Sequence, residues 1–262
     1  MEDLLAPELH EETTLIVNKS NALITGQGRL TTNQVKLLLL CIGLVNPLKP
    51  ERDSEGYIFV ELDHQQIAEK MNTETRYVKR FIADACIAFH SIPIKLKPKL
   101  DWAEHTVESA SIINIAHRSF PLTEDGTFKI QFHKQMEEHI IDLAKKGYAA
   151  YDYKHVVEMD SKHSIKIYEL LSKAYNKTKG GTQITRISLK DMWYSMGLTD
   201  GFGKALDQKA SYTSSYSEFN RRVLKTAVLE INGGKKSRRQ PREKNANPKF
   251  QEGSMCQFGA IS

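Results

Sequence analysis

Basic side chains collect on one side of the last periodic segment of the chain. Apolar residues recur there at intervals of four, which predicts a helix beginning near Ser217 with one buried stripe. The stripe comprises Phe219, Val223, Ala227 and Ile231, and the opposite side carries Glu218, Arg221, Arg222 and Lys225. A basic helix face of this kind could contact a nucleic acid. The alternative is an ordinary charged face that meets only water.

The segments before this helix predict the other parts of a helix-turn-helix unit. Residues 161–177 have the spacing of a helix with one apolar stripe. The stripe consists of Ile167, Leu170, Leu171 and Ala174. A β-branched run, TQITRIS, follows, and then a compact helix, SLKDMWYSMGL, which Ser188 can cap and Gly197 can end. Helix, strand, helix, turn and basic helix are the parts that place a helix in the major groove of DNA.

The first half of the chain has a similar plan. Thr31 and Thr32 can cap a helix that runs to about Val45 and is apolar nearly all round, which predicts a buried helix. YIFVEL predicts a strand, Asp63 can cap the helix HQQIAEKM, and a turn leads into the longer helix ETRYVKRFIADACIAF. The buried stripe of that helix comprises Val78, Ile82, Ala85 and Phe89. Strands predicted at SIPIKLK, ASIINIAH and TFKIQF complete the element order of a winged helix.

Two segments connect these halves. Residues 133–146 predict a further helix, ended by Gly147. It is expected to turn inward Met136, Ile140, Ile141 and Leu143. The aromatic run YAAYDYKHVVEM then leads to a second domain at about Met159. Its tyrosines are interpreted as packing between the domains, because a base-stacking platform usually has interleaved Arg or Lys and here only Lys154 is close.

Two well-separated stretches carry the pattern of a known family. One runs from SKHSIKIYELL through RRV to AVLEIN, and the other is LIVNKSNALITGQGRLTTNQVKLLLLCI near the start. Together they resemble the plasmid replication initiator (Rep) family, iteron-binding proteins built from two winged-helix domains, over about Leu15 to Asn232. The resemblance implies an α+β fold with two winged-helix (helix-turn-helix) domains in tandem. It also implies a non-catalytic protein that binds repeated duplex sites at an origin and helps to start replication.

The chain is expected to divide into four parts. These are a flexible N-terminal arm at 1–14, a first winged-helix domain at 15–158, a second at 159–232 and a basic disordered tail at 233–262. The resemblance implies that the first domain supports a homodimer and adds contacts to the DNA backbone, whereas the second recognises double-stranded DNA. Host replication proteins and chaperones can be further partners.

The residues expected to contact DNA follow from the same resemblance. Arg221 and Arg222 match arginines of the family motif, and an arginine fork suits the O6 and N7 edge of guanine. Asn220 stands where another basic residue is often seen, which would shift the preference towards adenine. The recognition set is Ser217, Asn220, Arg221, Arg222 and Lys225; the phosphate contacts are Lys162, Arg186 and Lys190 in the second domain and Arg76, Lys79 and Arg80 in the first. The first-domain cluster could equally be a solubilising surface.

The composition is that of a globular chain. Its 262 residues, 40% apolar and 26% charged, suffice for two domains with their own cores. The formal net charge is +5, but residues 233–262 alone hold seven Lys or Arg against two Glu, so the remainder sums to zero. Any nucleic-acid face outside that tail must therefore come from local clustering. The short apolar runs predict a cytoplasmic protein without a membrane partner, and the scattered Cys41, Cys86 and Cys256 predict reduced thiols.

No residue pattern predicts catalysis. The glycines of GQGRLTT and GFGK lack the spacing of a phosphate-binding loop, and the chain has neither the His-x-His pair of rolling-circle initiators nor a Gly-x-Ser-x-Gly elbow. His133 and His139 stand six apart, which on a helix would point them to different faces and argues against a shared metal. We therefore expect no catalytic residue, metal site or cofactor.

The segment after Asn232 departs from the family pattern. In the family a β-hairpin wing follows the AVLEIN helix, whereas GGKKSRRQPREKNANPKFQEGSMCQFGAIS has no alternating apolar pattern. The wing of the second domain is therefore expected to be missing. Two alternatives to a working initiator stay open: a truncated remnant that acts as a dimerising inhibitor or autorepressor, and a winged-helix transcriptional repressor without a replication role.

Overall fold

The computed structural model of the protein describes residues 14–96, 100–101, 106–107, 111–141, 143, 147–175, 187–200, 204–206 and 215–233. The helices are α1 (Asn21–Thr25), α2 (Thr32–Leu44), α3 (His64–Lys70), α4 (Thr75–Ser91), α5 (Lys134–Glu137), α6 (Tyr153–Val157), α7 (Lys162–Tyr175), α8 (Leu189–Ser195), α9 (Tyr216–Phe219) and α10 (Lys225–Ile231), and a π-helical turn (Asn220–Leu224) joins the last two. The strands are β1 (Ile16–Ser20), β2 (Phe59–Leu62), β3 (Ile94–Lys95), β4 (Leu100–Asp101), β5 (Thr106–Val107), β6 (Ile112–Ile113), β7 (Ala116–Phe120), β8 (Phe128–Phe132) and β9 (Tyr148–Asp152). The expected arm up to residue 13, the TQITRIS strand up to Arg186 and the basic tail after Gly233 lie outside these ranges, so the expectation that the second domain lacks a wing falls outside the described residues.

Helix α2 is the centre of the main hydrophobic core. Thr31 caps it as predicted, with Gln34 completing a reciprocal capping box. Every residue from Lys36 to Ile42 is buried, so the helix has no solvent face along that stretch. This confirms the prediction of a buried helix. The thiols of Cys41 and Cys86 are free and buried, in agreement with the expectation of reduced core thiols.

The first helix-turn-helix unit consists of α3 and α4. Asp63 caps α3 together with Gln66, and the turn passes through Asn72, whose φ of +48° is a left-handed conformation that Asn tolerates. The predicted stripe of α4 is buried throughout. Strands β2, β8 and β7 then form an antiparallel sheet in the order β2-β8-β7, in which β7 and β8 are the hairpin expected of a wing. The small hairpin of β4 and β5 was not predicted.

The predicted helix over 133–146 is wrong in its length. Lys134–Glu137 is α-helical and residues 138–140 form a turn, in which the amides of Ile140 and Ile141 still donate to the Glu137 carbonyl while the His139 carbonyl accepts from the junction of β1 and α1. The amide of Ser20 donates to the carbonyl of His139 at 2.9 Å, and the Ser20 hydroxyl bonds the His139 ring at 2.8 Å. The inward positions are nevertheless as expected, since Met136, Ile140 and Leu143 are buried and Ile141 packs on the core.

Helix α7 belongs to both hydrophobic clusters of the molecule. Ile165 and Leu170 pack into the main core with α2, α4 and the sheets, whereas Ile167 packs into a second cluster with α8, α9 and α10. Strand β9 pairs antiparallel with β1 and leads directly into α6, just before α7. Tyr151 and Tyr153 are buried in this region, as the packing interpretation expects, whereas Tyr148 of the same run is exposed. Within the described residues, no helix is long and apolar enough to cross a bilayer.

Candidate nucleic-acid interface

The second helix-turn-helix unit consists of α8 and the long helix from α9 to α10. Ser188 caps α8 through the amide of Asp191 at 3.1 Å, and Gly197 ends it with a φ of +72°, both as predicted. Their shared core includes Met192, Met196, Phe219, Val223, Leu224 and Ala227. The rings of Trp193 and Phe219 meet edge to face with centroids 5.9 Å apart. The last helix is therefore held by α8 together with Ile167 and Leu171 of α7.

The last helix contains one wide turn. Its stripe of Phe219, Val223 and Ala227 is buried as predicted, and Ile231 packs against it. A repeat of four residues is longer than a helical turn of 3.6, so the stripe drifts by about 40° at each step in a regular α-helix. The π-helical turn, in which the Lys225 amide donates to the Asn220 carbonyl, absorbs part of this drift. Turns of this type are frequent at functional sites, and this one carries Arg221 and Arg222.

The carboxylate of Glu218 bonds both arginines on the outer face of this helix. Glu218 accepts from Arg221 at 2.8 Å and from Arg222 at 2.7 Å. Hydrogen bonds from both guanidinium groups hold the pKa of Glu218 below its usual range, and the same contact raises the pKa of Arg221. The arginine side chains remain 62% and 51% exposed, and Ser217 and Lys225 are exposed beside them. Four of the five expected recognition residues thus share a solvent-facing surface; Asn220 is half-buried.

We expect Glu218→Gln to bind duplex DNA more tightly and less selectively. In the free protein the Glu218 carboxylate competes with phosphates for Arg221 and Arg222, and the substitution removes that competition. The salt dependence on a scrambled duplex should steepen by a slope of about 0.9, equivalent to one more phosphate contact. Affinity measured across a salt series tests this.

Glu230→Gln is the matched control for that experiment. It makes the same change of charge on the same helix, but its carboxylate bonds the Ser161 amide at 3.2 Å and neither arginine. An equal rise in affinity for both variants would mean that only overall charge matters, and would contradict the competition.

The first helix-turn-helix unit presents a second basic face on α4. Arg76, Lys79 and Arg80 are all exposed near the start of this helix. Arg76 is held by Glu74 at 2.7 Å and lies over the Tyr77 ring at 4.7 Å from its centroid. No ion pair within the described residues holds Lys79 or Arg80. The cluster therefore offers two unpaired cations and one oriented guanidinium.

The expected phosphate contacts of the second unit differ in accessibility. Lys190 is exposed on the first turn of α8. Lys162, the first residue of α7, is half-buried, and burial followed by the neighbouring Arg29 lowers its pKa. Burial likewise lowers the pKa of His163 to about 4, so this imidazole is neutral at pH 7. Arg186 lies outside the described residues.

A charge cluster joins α7 to strands β1 and β9, and the sequence reasoning missed it. Glu169 accepts from Lys19 at 2.7 Å and from the Tyr151 hydroxyl at 2.6 Å, with Lys166 3.6 Å away. Burial opposes the charge of Glu169, but the two lysines outweigh it and hold its pKa below the usual range. Burial lowers the pKa of Lys166 to about 8. The one available signal was a charged residue inside the α7 stripe, between Ile167 and Leu170.

The histidines considered for a metal have structural roles. His133 caps α5, and His139 bonds Ser20, so the two do not lie on one helix as the spacing argument assumed. Among the residues that the structure describes, no group of three His, Cys, Asp or Glu side chains could hold a metal ion.

The two units define a class of protein. Each half of the described chain holds a helix-turn-helix pair whose second helix presents basic side chains to solvent, and the first pair is followed by a hairpin. This is an α+β architecture of the winged-helix class.

The chain belongs to the initiator replication protein family. The family model described as "Initiator Replication protein, WH1" matches residues 16–172, which include β1 through most of α7. The family and fold class predicted from the two sequence motifs are therefore confirmed. The matched range contains the first helix-turn-helix unit, and the second unit lies beyond it.

Two individual proteins are similar to this chain. A "Replication initiation protein" from Escherichia coli is 22% identical over 220 residues, which cover 83% of this chain and 62% of that protein. The crystal structure of Pi initiator protein in complex with iteron DNA matches with a TM-score of 0.61 at 16% identity, over 84% of this chain and 86% of that one. The chain thus spans less than two thirds of the length of the E. coli relative, and the structural likeness concerns the fold.

Proposed function

We propose that this protein is a plasmid replication initiator that binds repeated duplex sites at an origin through its two helix-turn-helix units and acts without catalysis. The observation that carries the proposal is the exposed Arg221–Arg222 pair, fixed by Glu218 on the outer face of the second unit. The similarity to an initiator whose complex with iteron DNA is known supports it. Such a protein works in the cytoplasm, where plasmid DNA is found.

The helix from α9 to α10 is proposed to lie in the major groove. Arg221 and Arg222 would read guanine through bidentate hydrogen bonds, and Asn220 would favour adenine. Ser217 and Lys225 flank these residues on the same side of the helix and would fix its depth in the groove. Because the long helix packs on α8 through the Trp193–Phe219 pair, it would enter the groove together with α8.

Phosphate contacts are assigned to basic residues around this helix and on the first unit. They set the register on the duplex and carry no base information. The proposed contacts are Lys162, Arg186 and Lys190 with the second unit, and Arg76, Lys79 and Arg80 with the first. Lys190, Lys79 and Arg80 have the exposure that this role needs, whereas Lys162 would have to reach outward from its half-buried position.

The domain assignment and partners complete the proposal. Residues 15–158 form a first domain that supports a homodimer, and residues 159–232 form the recognition domain; host replication proteins and chaperones are further partners. Helix α7 begins the second domain and packs on both cores, so the two domains share a helix rather than a flexible linker.

Lys190→Ala should weaken binding to all duplexes alike. An exposed lysine on the first turn of α8 can meet a phosphate but makes no base contact in this assignment. The slope of log affinity against log salt should fall by about 0.9 for the lost contact. Lys154→Ala, on α6, serves as the control. A loss confined to one base change in the site would contradict the phosphate role of Lys190.

The experiment that tests the function compares duplexes. Binding of the full chain to DNA carrying the repeats near its own gene is measured against a scrambled duplex across salt, together with a chain that ends at Asn232. A preference for the repeats that survives removal of residues 233–262 supports an initiator that reads DNA with the Arg221–Arg222 face. Equal affinity for both duplexes that vanishes with those residues would overturn the proposal and favour a dimerising remnant.

A further inference from the structure

The loop Gly26–Gln27–Gly28, which follows α1, lies between β3 and the second helix-turn-helix unit, although its sequence resembles part of a phosphate-binding loop. The side chain of Gln27 is 5% exposed. Its Nε2 donates to the carbonyl of Thr199 at 2.7 Å and to that of Tyr194 at 3.3 Å. Tyr194 lies in the last turn of α8 and Thr199 just beyond that helix, so an amide from the loop after α1 holds the C-terminal end of α8.

The same loop is fixed on the first unit by its backbone. Gln27 exchanges two backbone hydrogen bonds with Lys95 of β3, at 2.8 and 2.9 Å. A Cβ at Gly26 would come within 2.9 Å of the Ile94 side chain, and one at Gly197 would lie 3.4 Å from the Gly28 carbonyl. The loop is therefore clamped between β3 and α8, with no room for a side chain at Gly26.

Further hydrogen bonds cross the contact in both directions. The Tyr194 hydroxyl donates to the carbonyls of Lys95 and Leu96 at 3.3 and 3.2 Å. Ser195 donates to the Thr25 carbonyl at 3.0 Å. Lys166 of α7 donates to the Ile24 carbonyl at 2.9 Å and the Gly26 carbonyl at 3.2 Å. Directional bonds to backbone carbonyls fix an orientation, whereas an apolar contact alone would let α8 slide.

We propose that Gln27 is a positioning residue for duplex recognition. Gln27 fixes the end of α8, and α8 and α7 together hold the last helix, α8 through the Trp193–Phe219 contact and α7 through Ile167. Gln27 thereby helps to set the distance between the basic faces of α4 and α9–α10. The inference rests on the proposed function. Two linked basic faces can contact one duplex at the same time only if their separation matches that of the two DNA segments. The loop therefore helps to determine which spacing between those segments is accepted.

Gln27→Leu is the variant that tests this role, and Gln34→Leu is its control. Both replace a glutamine amide by an apolar group, but Gln34 bonds only within the first unit, to the Thr31 amide and the Asp84 carbonyl. The probe is the duplex that the full chain selects from a random library. We expect Gln27→Leu to bind that duplex roughly five- to thirtyfold more weakly. Insertion of a base pair between the two contacted segments should harm the wild type and the control far more than Gln27→Leu.

A structural readout separates this inference from the function on which it rests. Spin labels at Leu48→Cys and Leu229→Cys, in a full chain with Cys256→Ser, report the distance between the units, since both positions are exposed. The wild type and Gln34→Leu should give one narrow distribution, and Gln27→Leu a broad one. Ser195→Ala removes a neighbouring hydrogen bond without enlarging the side chain. It should also broaden the distribution of distances between the two labels.

A narrow, unchanged distribution in Gln27→Leu and Ser195→Ala would overturn the positioning role, whatever the DNA results. An unchanged preference for spacing in Gln27→Leu would also overturn it. If the wild type selects no duplex at all, the proposed function fails, and the distances alone then decide whether Gln27 fixes the two units.

Discussion

Replacing Arg222 by Ala is expected to weaken specific DNA binding by about 1–3 kcal/mol, the value of one bidentate contact to a base. Arg222 is half exposed, and its Nε is oriented by Glu218 at 2.7 Å, so its fork is presented before DNA arrives. The loss should be largest on the selected site and small on a scrambled duplex. Competition binding against single-base variants of the site measures it.

Two further variants make the Arg222 experiment decisive. Arg222→Lys keeps the charge but removes the fork, so it should keep the salt slope and lose the discrimination between bases. Arg118→Ala removes an arginine of similar exposure that is also paired with a glutamate, at 2.9 Å from Glu55, but lies in the first unit. Its discrimination should be unchanged. Wild-type discrimination in Arg222→Ala would remove this helix from the recognition role.

Local signals explain why so much of the fold was predictable. Thr31, Asp63 and Ser188 each cap the helix that follows, with side-chain bonds to backbone amides that need no partner from elsewhere in the chain. The buried stripes of α4 and the last helix follow from spacing alone. Such features depend on residues within a few positions of one another, and a single sequence contains them.

The errors have a common physical cause, which is competition from distant partners. The segment after Glu137 has helical periodicity, yet its backbone bonds to Ser20 and Asn21, which precede it by more than a hundred positions. Glu169 reads as an ordinary surface acid until Lys19, 150 positions away, is brought against it. Gln27 likewise has no local pattern that marks its contact with Thr199. Nothing in a single sequence states such pairings.

The candidate site was predictable to the level of a helix face and no further. Charge and periodicity placed Arg221, Arg222 and Lys225 on the outer side of the last helix, where they are found. They did not indicate that Glu218 would bond both arginines, because an acidic residue one turn before two basic residues is compatible with several rotamers. Nor did they indicate the wide turn at Asn220–Leu224, although the four-residue spacing of the stripe is longer than a regular helical turn.

Glu169→Gln should be the most destabilising single substitution considered for this protein, with a loss of about 3–5 kcal/mol in the free energy of unfolding. The change keeps the shape of the side chain but leaves the buried Lys19 and the partly buried Lys166 facing a neutral amide. Lys166 retains two carbonyl acceptors, whereas within the described residues the Lys19 ammonium bonds only Glu169. Denaturant or thermal unfolding of the full chain measures the loss.

The pH dependence of stability gives this prediction a second readout. The folded pKa of Glu169 lies below its ordinary value of 4.5, so the unfolded state binds more protons between the two values. The stability contributed by Glu169 is therefore present above pH 4.5 and is lost as the pH falls through its folded pKa. The Glu169→Gln variant has already lost this contribution at every pH. Its free energy of unfolding should therefore decline less steeply in acid than that of the wild type.

Glu55→Gln supplies the control that separates a buried pair from an exposed one. Glu55 meets Arg118 at 2.9 Å, nearly the distance of the Lys19–Glu169 pair, but the side chains are 48% and 52% exposed. Water screens such a pair, and its loss should cost between 0 and about 1 kcal/mol. Equal costs for Glu55→Gln and Glu169→Gln would mean that the cluster between α7 and strands β1 and β9 is solvated in solution. In that case α7 would not be held to these strands by buried charge, and the fixed orientation of the two units would depend on the Gly26–Gln27–Gly28 loop and the apolar faces of α7.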